Sequence, residues 1–319
     1  MNITLNQLVS RTIFGCSLLM TPLMAQAVEQ IEREMTVSAN PNIELKVQRG
    51  KVEIIGWDKD IISVKGQLDE LSEGFVFEKK GGDIIIEDKL PSSYRGNNDQ
   101  GSNLVIRIPS NLALEAEGVS ADYEVEKLVG KVQLSLVSGS MEVEDIEGKI
   151  SLNTVSGDIK AEKLNGNIEL ETVSGDIKDK DVQGKVKYRL VSGELESENN
   201  LVTDLSIDQV SGDVEGSFTA AEKVKVVTVS GDIEVKLSDA ITKVLFDTVS
   251  GDIEVKFTNM PNLAFEIDGG PGGRIENRLT DDKPMKTKYS SRQSIQFKTQ
   301  QGSGSFNAST VSGKIKLEQ

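Results

Sequence analysis

Apolar residues recur along the middle of the chain in a repeating set of unequal steps. In one stretch they advance by four, two and three residues, twice over, at Val155, Ile159, Ala161, Leu164, Ile168, Leu170 and Val173. A helix buries positions three and four apart throughout, whereas a step of two places alternate side chains on one face of a strand. A glycine lies inside each four-residue gap, where a turn is expected. The pattern therefore predicts short strands joined by turns.

The same pattern repeats with a nearly fixed period. The tripeptide Val-Ser-Gly begins at Val137, Val155, Val173, Val191, Val210, Val229 and Val249. A variant copy begins at Val119 and a separate copy at Val311, and the steps from Val119 to Val249 are 18, 18, 18, 18, 19, 19 and 20 residues. A second glycine falls halfway through the early repeats, in Val129-Gly130-Lys131, Glu147-Gly148-Lys149, Asn165-Gly166-Asn167 and Gln183-Gly184-Lys185. Such a period is typical of a solenoid, in which each repeat is one coil.

Stacked coils require every inward column to stay apolar, and the sequence meets this requirement. The residue four positions after each repeat valine is Tyr123, Met141, Ile159, Ile177, Leu195, Val214, Ile233 or Ile253. We therefore expect an all-β fold, a parallel β-solenoid (β-helix) with 18–20 residues per coil. A right-handed coil is favoured because parallel connections in open sheets are overwhelmingly right-handed. Antiparallel hairpins are the alternative, but they do not require one residue type in every column.

The sequence also bears on which side chains are buried in two further columns. The repeat valines Val137, Val155, Val173 and Val191 are expected to form one buried column. Another column turns small or polar in its middle, at Asp179, Ser197 and Gly216. Either the coil narrows at that point or Asp179 turns outward.

The regularity of the repeat divides the chain into four segments. We expect a signal peptide at 1–27, irregular β-coils with an opening cap at 28–118, the regular solenoid at 119–267 and a closing cap at 268–319. Caps are expected because the last strand of a solenoid exposes unpaired amides.

The first 27 residues have the layout of a secretory signal. Arg11 precedes an apolar run that ends near Met24, and Ala25-Gln26-Ala27 supplies small residues for cleavage. A run of about 13 residues is too short for a membrane-spanning helix, which needs about 20. Cys16 lies early in the run, where a lipidation site is not expected. The exported protein should therefore begin at Val28 without a lipid, a cysteine or a transmembrane segment.

Charge narrows the range of partners. The chain carries 36 basic and 51 acidic residues, a formal net charge of -15. Such a surface repels nucleic acid and anionic membranes. The segment 268–294 is locally basic, and 88–103 is a polar loop. From these two segments we select Tyr94, Arg95, Arg274 and Arg278 as candidate partner-binding residues.

Several motifs together resemble one bacterial family. They are the segment 50–57 (Gly-Lys-Val-Glu-Ile-Ile-Gly-Trp), the step 106–109 (Ile-Arg-Ile-Pro), the Val-Ser-Gly-Asp-Ile ladder and the closing glycines at 302–304 and 311–313. The chain is similar in these to the bacterial "putative adhesin" family, a domain of unknown function. The resemblance implies a β-helix and an exported location, and it implies no catalytic residue.

The side chains available for chemistry are few. The sequence contains no histidine, which removes the commonest general base and the usual zinc site. The serine of every Val-Ser-Gly is explained by turn formation. An acid follows the glycine at Asp158, Asp176, Glu194, Asp213, Asp232 and Asp252. We expect these carboxylates to accept turn amides; calcium binding, as in a β-roll, is the alternative. We predict no cofactor and no metal.

The predicted function follows from these features. We expect a non-enzymatic, adhesin-like binding or scaffold protein in the periplasm or at the cell surface, with an unidentified envelope protein or polysaccharide as its partner. A carbohydrate-active enzyme using carboxylates is an alternative, but it needs one distinct acidic pair across a groove. An ice-binding face is another, if the threonines of the Thr-Val-Ser segments point outward, at Thr154, Thr172, Thr228 and Thr248.

Overall fold

The computed structural model describes residues 29–93, 100–286, 288 and 290–319. Within these residues the chain forms 25 strands and no helix, so the predicted all-β fold is confirmed. This part of the chain accordingly has no helix that is long and apolar enough to cross a membrane. The predicted signal peptide, together with Tyr94 and Arg95, lies outside the described residues.

The strands form one sheet that is not closed. The N-terminal strands are β1 Gln30–Thr36, β2 Asn42–Lys46, β3 Arg49–Trp57, β4 Ile61–Gln67, β5 Gly74–Lys80, β6 Asp83–Lys89 and β7 Ser102–Pro109. The central strands are β8 Asn111–Ser138, β9 Met141–Ser156, β10 Ile159–Ser174, β11 Ile177–Lys180, β12 Gln183–Ser192, β13 Leu195–Glu198, β14 Leu201–Ser211, β15 Val214–Ser217, β16 Lys223–Val227, β17 Ile233–Leu237, β18 Lys243–Ser250 and β19 Ile253–Phe257. The C-terminal strands are β20 Leu263–Asp268, β21 Arg274–Asn277, β22 Met285–Lys286, β23 Gln293–Lys298, β24 Gly304–Ser312 and β25 Lys314–Glu318.

The central strands pair in parallel and in register, one repeat with the next. Ile159 lies between Met141 on one side and Ile177 on the other, and Leu195 follows in the same column. This column is fully buried, and its neighbours complete one continuous core. The repeat thus stacks as a solenoid-like β-structure, because equal residues in successive rungs bury equal side chains.

The repeat valines are exposed, so the predicted buried column is wrong. Val137, Val155, Val173 and Val191 expose 50%, 49%, 40% and 47% of their surface. The inward position beside Val173 belongs to Thr172, which is fully buried. Ile168, Leu170 and Thr172 alternate inward along β10, and the pleat of the strand then turns Val173 outward. The three-residue step from Leu170 to Val173 does not follow one face of the strand.

Asp179 points inward, which answers the question left open by the sequence. Its side chain is 4% exposed, and Ser197 lies beside it one rung later at 3%. Small and polar residues therefore occupy the interior at this point.

The N-terminal strands end the parallel stack with antiparallel partners. β2 and β3 lie one after the other along the length of β8, and β6 and β7 lie beyond them in parallel. β5 then pairs with β6, and β4 with β7, both antiparallel. β1 is antiparallel to β4 and exposes Glu32 and Arg33. Charged residues on such an outer strand oppose edge-to-edge aggregation.

At the other end the chain does not stack in sequence order. β18 and β19 pair with β24 and β25, and β20 and β21 lie on the far side of that pair. Phe306 therefore lies between Phe246 and Phe265, at ring-centroid distances of 5.8 Å and 4.9 Å. In a stack that followed the order of the sequence, Phe265 would lie directly beside Phe246. β23 covers β20 in the antiparallel sense.

Candidate binding surfaces

The repeat valines form a continuous exposed strip, which we call the valine column. Each member exposes between 40% and 50% of its surface: Val119, Val137, Val155, Val173, Val191, Val210, Val229, Val249 and Val311. Val311 continues the column beyond Val249 because Ser250 pairs with Ser312. An uncharged serine follows each valine from Val137 onward, and those serines are exposed too. The column is thus a long uncharged strip on a strongly acidic protein.

The threonines beside this column lie inside the protein. Thr154, Thr172, Thr228, Thr248 and Thr310 are each at most 5% exposed. The Thr172 hydroxyl donates to the carbonyl of Gly157 at 3.4 Å. An outward threonine row, which an ice-binding face requires, is therefore wrong.

The acid after each glycine links one coil to the next. The Asp158 Oδ1 accepts the amide of Asp176 at 2.9 Å, and the Asp176 Oδ1 accepts the amide of Glu194 at 2.9 Å. The same bond recurs from Asp122 to Ser140, from Asp213 to Asp232, from Asp232 to Asp252 and from Asp252 to Lys314. The prediction that these carboxylates accept turn amides is confirmed for the five aspartates, and the accepted amide belongs to the neighbouring coil.

A buried polar cluster fills the interior at the irregular column. The Asp179 carboxylate accepts hydrogen bonds from Ser197 Oγ at 2.7 Å, from Asn200 Nδ2 at 2.5 Å and from the Tyr188 hydroxyl. Burial raises the pKa of Asp179, and burial together with the neighbouring Asp179 carboxylate raises the pKa of Tyr188 well above its ordinary value. Asn200 in turn accepts the amide of Val182 at 2.6 Å. Every partner of Asp179 lies within the core, which makes this cluster a packing element.

A second exposed column begins just after the mid-coil glycines. Lys131 pairs with Lys149, Lys149 with Asn167, and Asn167 with Lys185 on successive rungs. The column continues through Asp204 to Lys223 and Lys243. We call these residues the lysine column. Among the described residues, no carboxylate lies within ion-pairing distance of Lys131, Lys149 or Lys185.

The lysine column borders a shallow trough of about 470 Å³ that crosses five rungs. Its floor is formed by the strand positions of Val132, Ile150, Ile168 and Val186. A parallel column inside the trough consists of Gln133, Ser151, Glu169, Lys187 and Ser206. Glu169 is the acid nearest the middle, and it is ion-paired with Arg189. The trough therefore presents ammonium, amide and hydroxyl groups in a narrow line, together with the carboxylates of Glu169 and Asp204.

Sequence comparison identifies the family. A family model described as Toastrack DUF4097, a domain of unknown function, matches residues 40–318. The chain belongs to this Toastrack family. This match confirms the predicted resemblance to a family defined by a domain of unknown function.

Three solved structures are similar to this Toastrack chain at low identity. One is a "putative adhesin" from Bacteroides fragilis, at 16% identity and a TM-score of 0.40, with 73% of this chain and 97% of that chain covered. Another is a "putative lipid binding protein" from Parabacteroides distasonis, at 15% identity and a TM-score of 0.38, with 91% of this chain and 96% of that chain covered. The third is a "putative cell adhesion protein" from Clostridium sporogenes, at 11% identity and a TM-score of 0.25, with 91% of this chain and 100% of that chain covered. No curated protein matches the chain. Similarity at this level does not indicate what the chain binds.

The structure of this Toastrack chain places two of the four predicted partner-binding residues, Arg274 and Arg278. Arg278 is ion-paired with Glu276 and Glu318, the latter at 3.2 Å. Arg274 is exposed on β21, and Tyr94 and Arg95 lie outside the described residues. The proposal that these four residues bind a partner stays a prediction.

Sequence reasoning missed the lysine column, although a signal was present. Three of the four mid-coil glycines are followed directly by lysine, at Lys131, Lys149 and Lys185. Glycine marks the turn, so the next residue opens a strand on every coil. The signal was overlooked because a lysine on a strand is usually an ordinary solvated residue.

Proposed function

We propose that this Toastrack chain is an exported, non-catalytic, adhesin-like binding module of the bacterial envelope. In this proposal a right-handed β-solenoid of 18–20 residues per coil is a rigid scaffold, and its valine column contacts an envelope protein or polysaccharide. The observation that carries the proposal is the column itself, nine half-exposed valines aligned on one surface.

Exposed aligned valines are not required by the strand geometry. Threonine has the same shape and a comparable preference for strands, so it would fit the same outward position with its hydroxyl in water. Contiguous apolar surface on a soluble protein marks contact sites. Burying it against a partner contributes about 25 cal/mol for each Å² of apolar area. A repeated valine therefore supports contact with a partner along the length of the stack.

The arrangement of the acids supports a role without catalysis. The repeated carboxylates are occupied by amides of the next coil, and Asp179 is enclosed in the core. The alternative carbohydrate-active enzyme needs one carboxyl group as acid and another as base or nucleophile across a substrate groove. The trough has two acids in its lining, Glu169 and Asp204, and Glu169 is paired with Arg189. These features favour a surface for binding.

The proposal is tested by changing three central members of the valine column. A variant carrying Val155→Thr, Val173→Thr and Val191→Thr keeps the branched side-chain shape and removes apolar surface. We expect its retention on envelope material of the producing bacterium to fall at least fivefold, with a melting temperature close to that of the parent. The measurement is the fraction of purified protein that cosediments with the envelope.

A matched variant carries isoleucine at the same three positions. It keeps the column apolar, so its retention should equal that of the parent protein. Equal retention of the threonine variant and the parent would contradict the proposed contact surface.

A further inference from the structure

The lysine column places like charges on adjacent rungs, and Asp204 is the one acid among the residues of the column. Lys131 faces Lys149 on the adjacent rung, and Lys223 faces Lys243. Rungs of a sheet are about 4.8 Å apart, and like charges directly opposite are unfavourable there. An arrangement that opposes folding invites a functional explanation.

On the other outward face of the same coils Lys160 and Lys178 also lie on adjacent rungs, but each of them has an acid partner. There Lys160 bonds Glu142 on the preceding rung at 2.5 Å, and Lys178 bonds Glu196 on the following rung at 2.8 Å. Lys163 bonds Glu144 in the same manner at 2.5 Å. Lysine on that face thus forms an ion pair one coil away, whereas Lys131, Lys149 and Lys185 form none among the described residues, although Asp204 follows Lys185 on the next rung. These three lysines stay without an ion pair although the net charge of the chain is -15.

The trough also sets the shape of what would bind. Its charged groups follow the stack, with one or two rungs between neighbouring lysines, so the matching anions must lie along a line. Gln133, Ser151 and Asn167 stand between and beside the lysines and offer amide and hydroxyl groups. A chain of sugar rings that carry carboxylates presents anions at regular intervals with hydroxyl groups between them. The lysines then pair with the carboxylates, and the amide and hydroxyl groups of the protein form hydrogen bonds with the sugar hydroxyl groups.

We propose that the trough binds a linear anionic polysaccharide of the polyuronate type, aligned with the solenoid axis. The proposal names a ligand class for the binding role proposed above, and it places that ligand on a surface different from the valine column. An anionic membrane is a broad plane, and it would bring its charge against the acidic remainder of the protein, which repels it. A single narrow chain reaches the lysines at less electrostatic cost.

The test compares two variants with the same change in charge. One carries Lys131→Gln, Lys149→Gln and Lys185→Gln in the trough. The other carries Lys127→Gln, Lys160→Gln and Lys178→Gln. In the parent protein these three lysines lie outside the trough and form ion pairs. The probe is an oligogalacturonate of defined length, and its dissociation constant for the purified protein is measured by calorimetry at low and at physiological ionic strength.

We expect the trough variant to bind the oligogalacturonate at least tenfold more weakly than the parent and the second variant to bind within twofold of it. Equal weakening in both variants would overturn the proposal, because it would mark a general charge effect. Unchanged binding by the trough variant, or no binding by the parent, would overturn it as well. So would tighter binding of single-stranded DNA or of anionic vesicles than of the oligogalacturonate.

The envelope-retention assay separates this inference from the proposed function. If the threonine variant of the valine column loses retention but the parent does not bind the oligogalacturonate, the ligand class is wrong and the contact surface stands. If oligogalacturonate binding depends on the lysines but the threonine variant is retained, the inference stands and the role of the valine column is wrong.

Discussion

Gly193 shows at the scale of one residue why the Val-Ser-Gly corner recurs. Its φ is +138°, in the range that side chains other than glycine rarely adopt. A Cβ at this position would lie 1.9 Å from the carbonyl oxygen of Gly175, the equivalent residue one coil earlier. The corners of successive coils therefore touch through their backbones. Glycine is required for the stacking of the corners in addition to the turn.

Replacing Gly193 by alanine should destabilise the protein severely. Backbone strain and the clash with Gly175 together should lower the free energy of unfolding by about 3 kcal/mol or more. Gly74→Ala is the matched control, since Gly74 has a φ of +145° with nothing within 4 Å of a Cβ. We expect a loss of about 1 kcal/mol there, from strain alone. Urea denaturation measures both, and equal losses would contradict the backbone contact.

At the scale of the element, the ladder of carboxylates connects one coil to the next. Asp232 accepts the amide of Asp252 at 2.7 Å, and Asp252 accepts that of Lys314 at 2.7 Å. Neighbouring acids repel, at about 1 kcal/mol per pair in a water-like dielectric at this spacing. A hydrogen bond from an amide to a charged acceptor contributes about 1.5–3 kcal/mol, which offsets the repulsion. The ladder is thus explained without an ion.

The effect of calcium on thermal unfolding tests this explanation. We expect the melting temperatures in excess EDTA and in millimolar calcium to agree within a few degrees. Binding at a hundredfold excess over the dissociation constant would add about 2.7 kcal/mol per site, so a rise of more than about 10 °C with calcium would refute it. As a control, Asp232→Asn keeps a side-chain oxygen and should destabilise less than Asp232→Ala.

At the scale of the whole molecule, the C-terminal coil is inserted between two earlier coils. β24 lies between β18 and β20, and the Phe306 ring is fully buried there. The rings of Phe246, Phe257 and Phe265 surround it within 6.2 Å. The chain therefore leaves one rung open after β19 and fills it on its return. β24 thus joins two parts of the stack, the coil of β18 and the coil of β20.

Removing the Phe306 ring should loosen this end of the molecule selectively. Phe306→Ala should cost about 3–5 kcal/mol, as for other large buried aromatic residues. In a solenoid each coil contacts only its neighbours, so hydrogen exchange should accelerate in β18, β20 and β24 while β9 and β10 keep their protection. Phe218→Ala, in a middle coil, is the control and should accelerate exchange there instead. A uniform increase along the chain after Phe306→Ala would contradict the arrangement.

Local patterns in the sequence predicted much of this structure. The two-residue steps and the column from Tyr123 to Ile253 gave the strands and their parallel stacking, because each inward column must repeat an apolar side chain. The carboxylates were predicted to accept amides, but the donor in the next coil was not specified. The pattern of apolar residues predicts inward valines, but the buried threonine before several of them already occupies the inward position of the strand.

The sequence by itself determined the all-β class, the period and the register, since all three follow from the spacing of side chains along the strand. The tertiary structure decided which side chains meet between different parts of a coil and at its ends. It left Lys131 and Lys149 without an ion pair, enclosed Asp179 with Tyr188, and put Phe306 between Phe246 and Phe265. These contacts depend on the lateral packing of coils and on the path of the chain between them. Neither is encoded in the local alternation of apolar and polar residues.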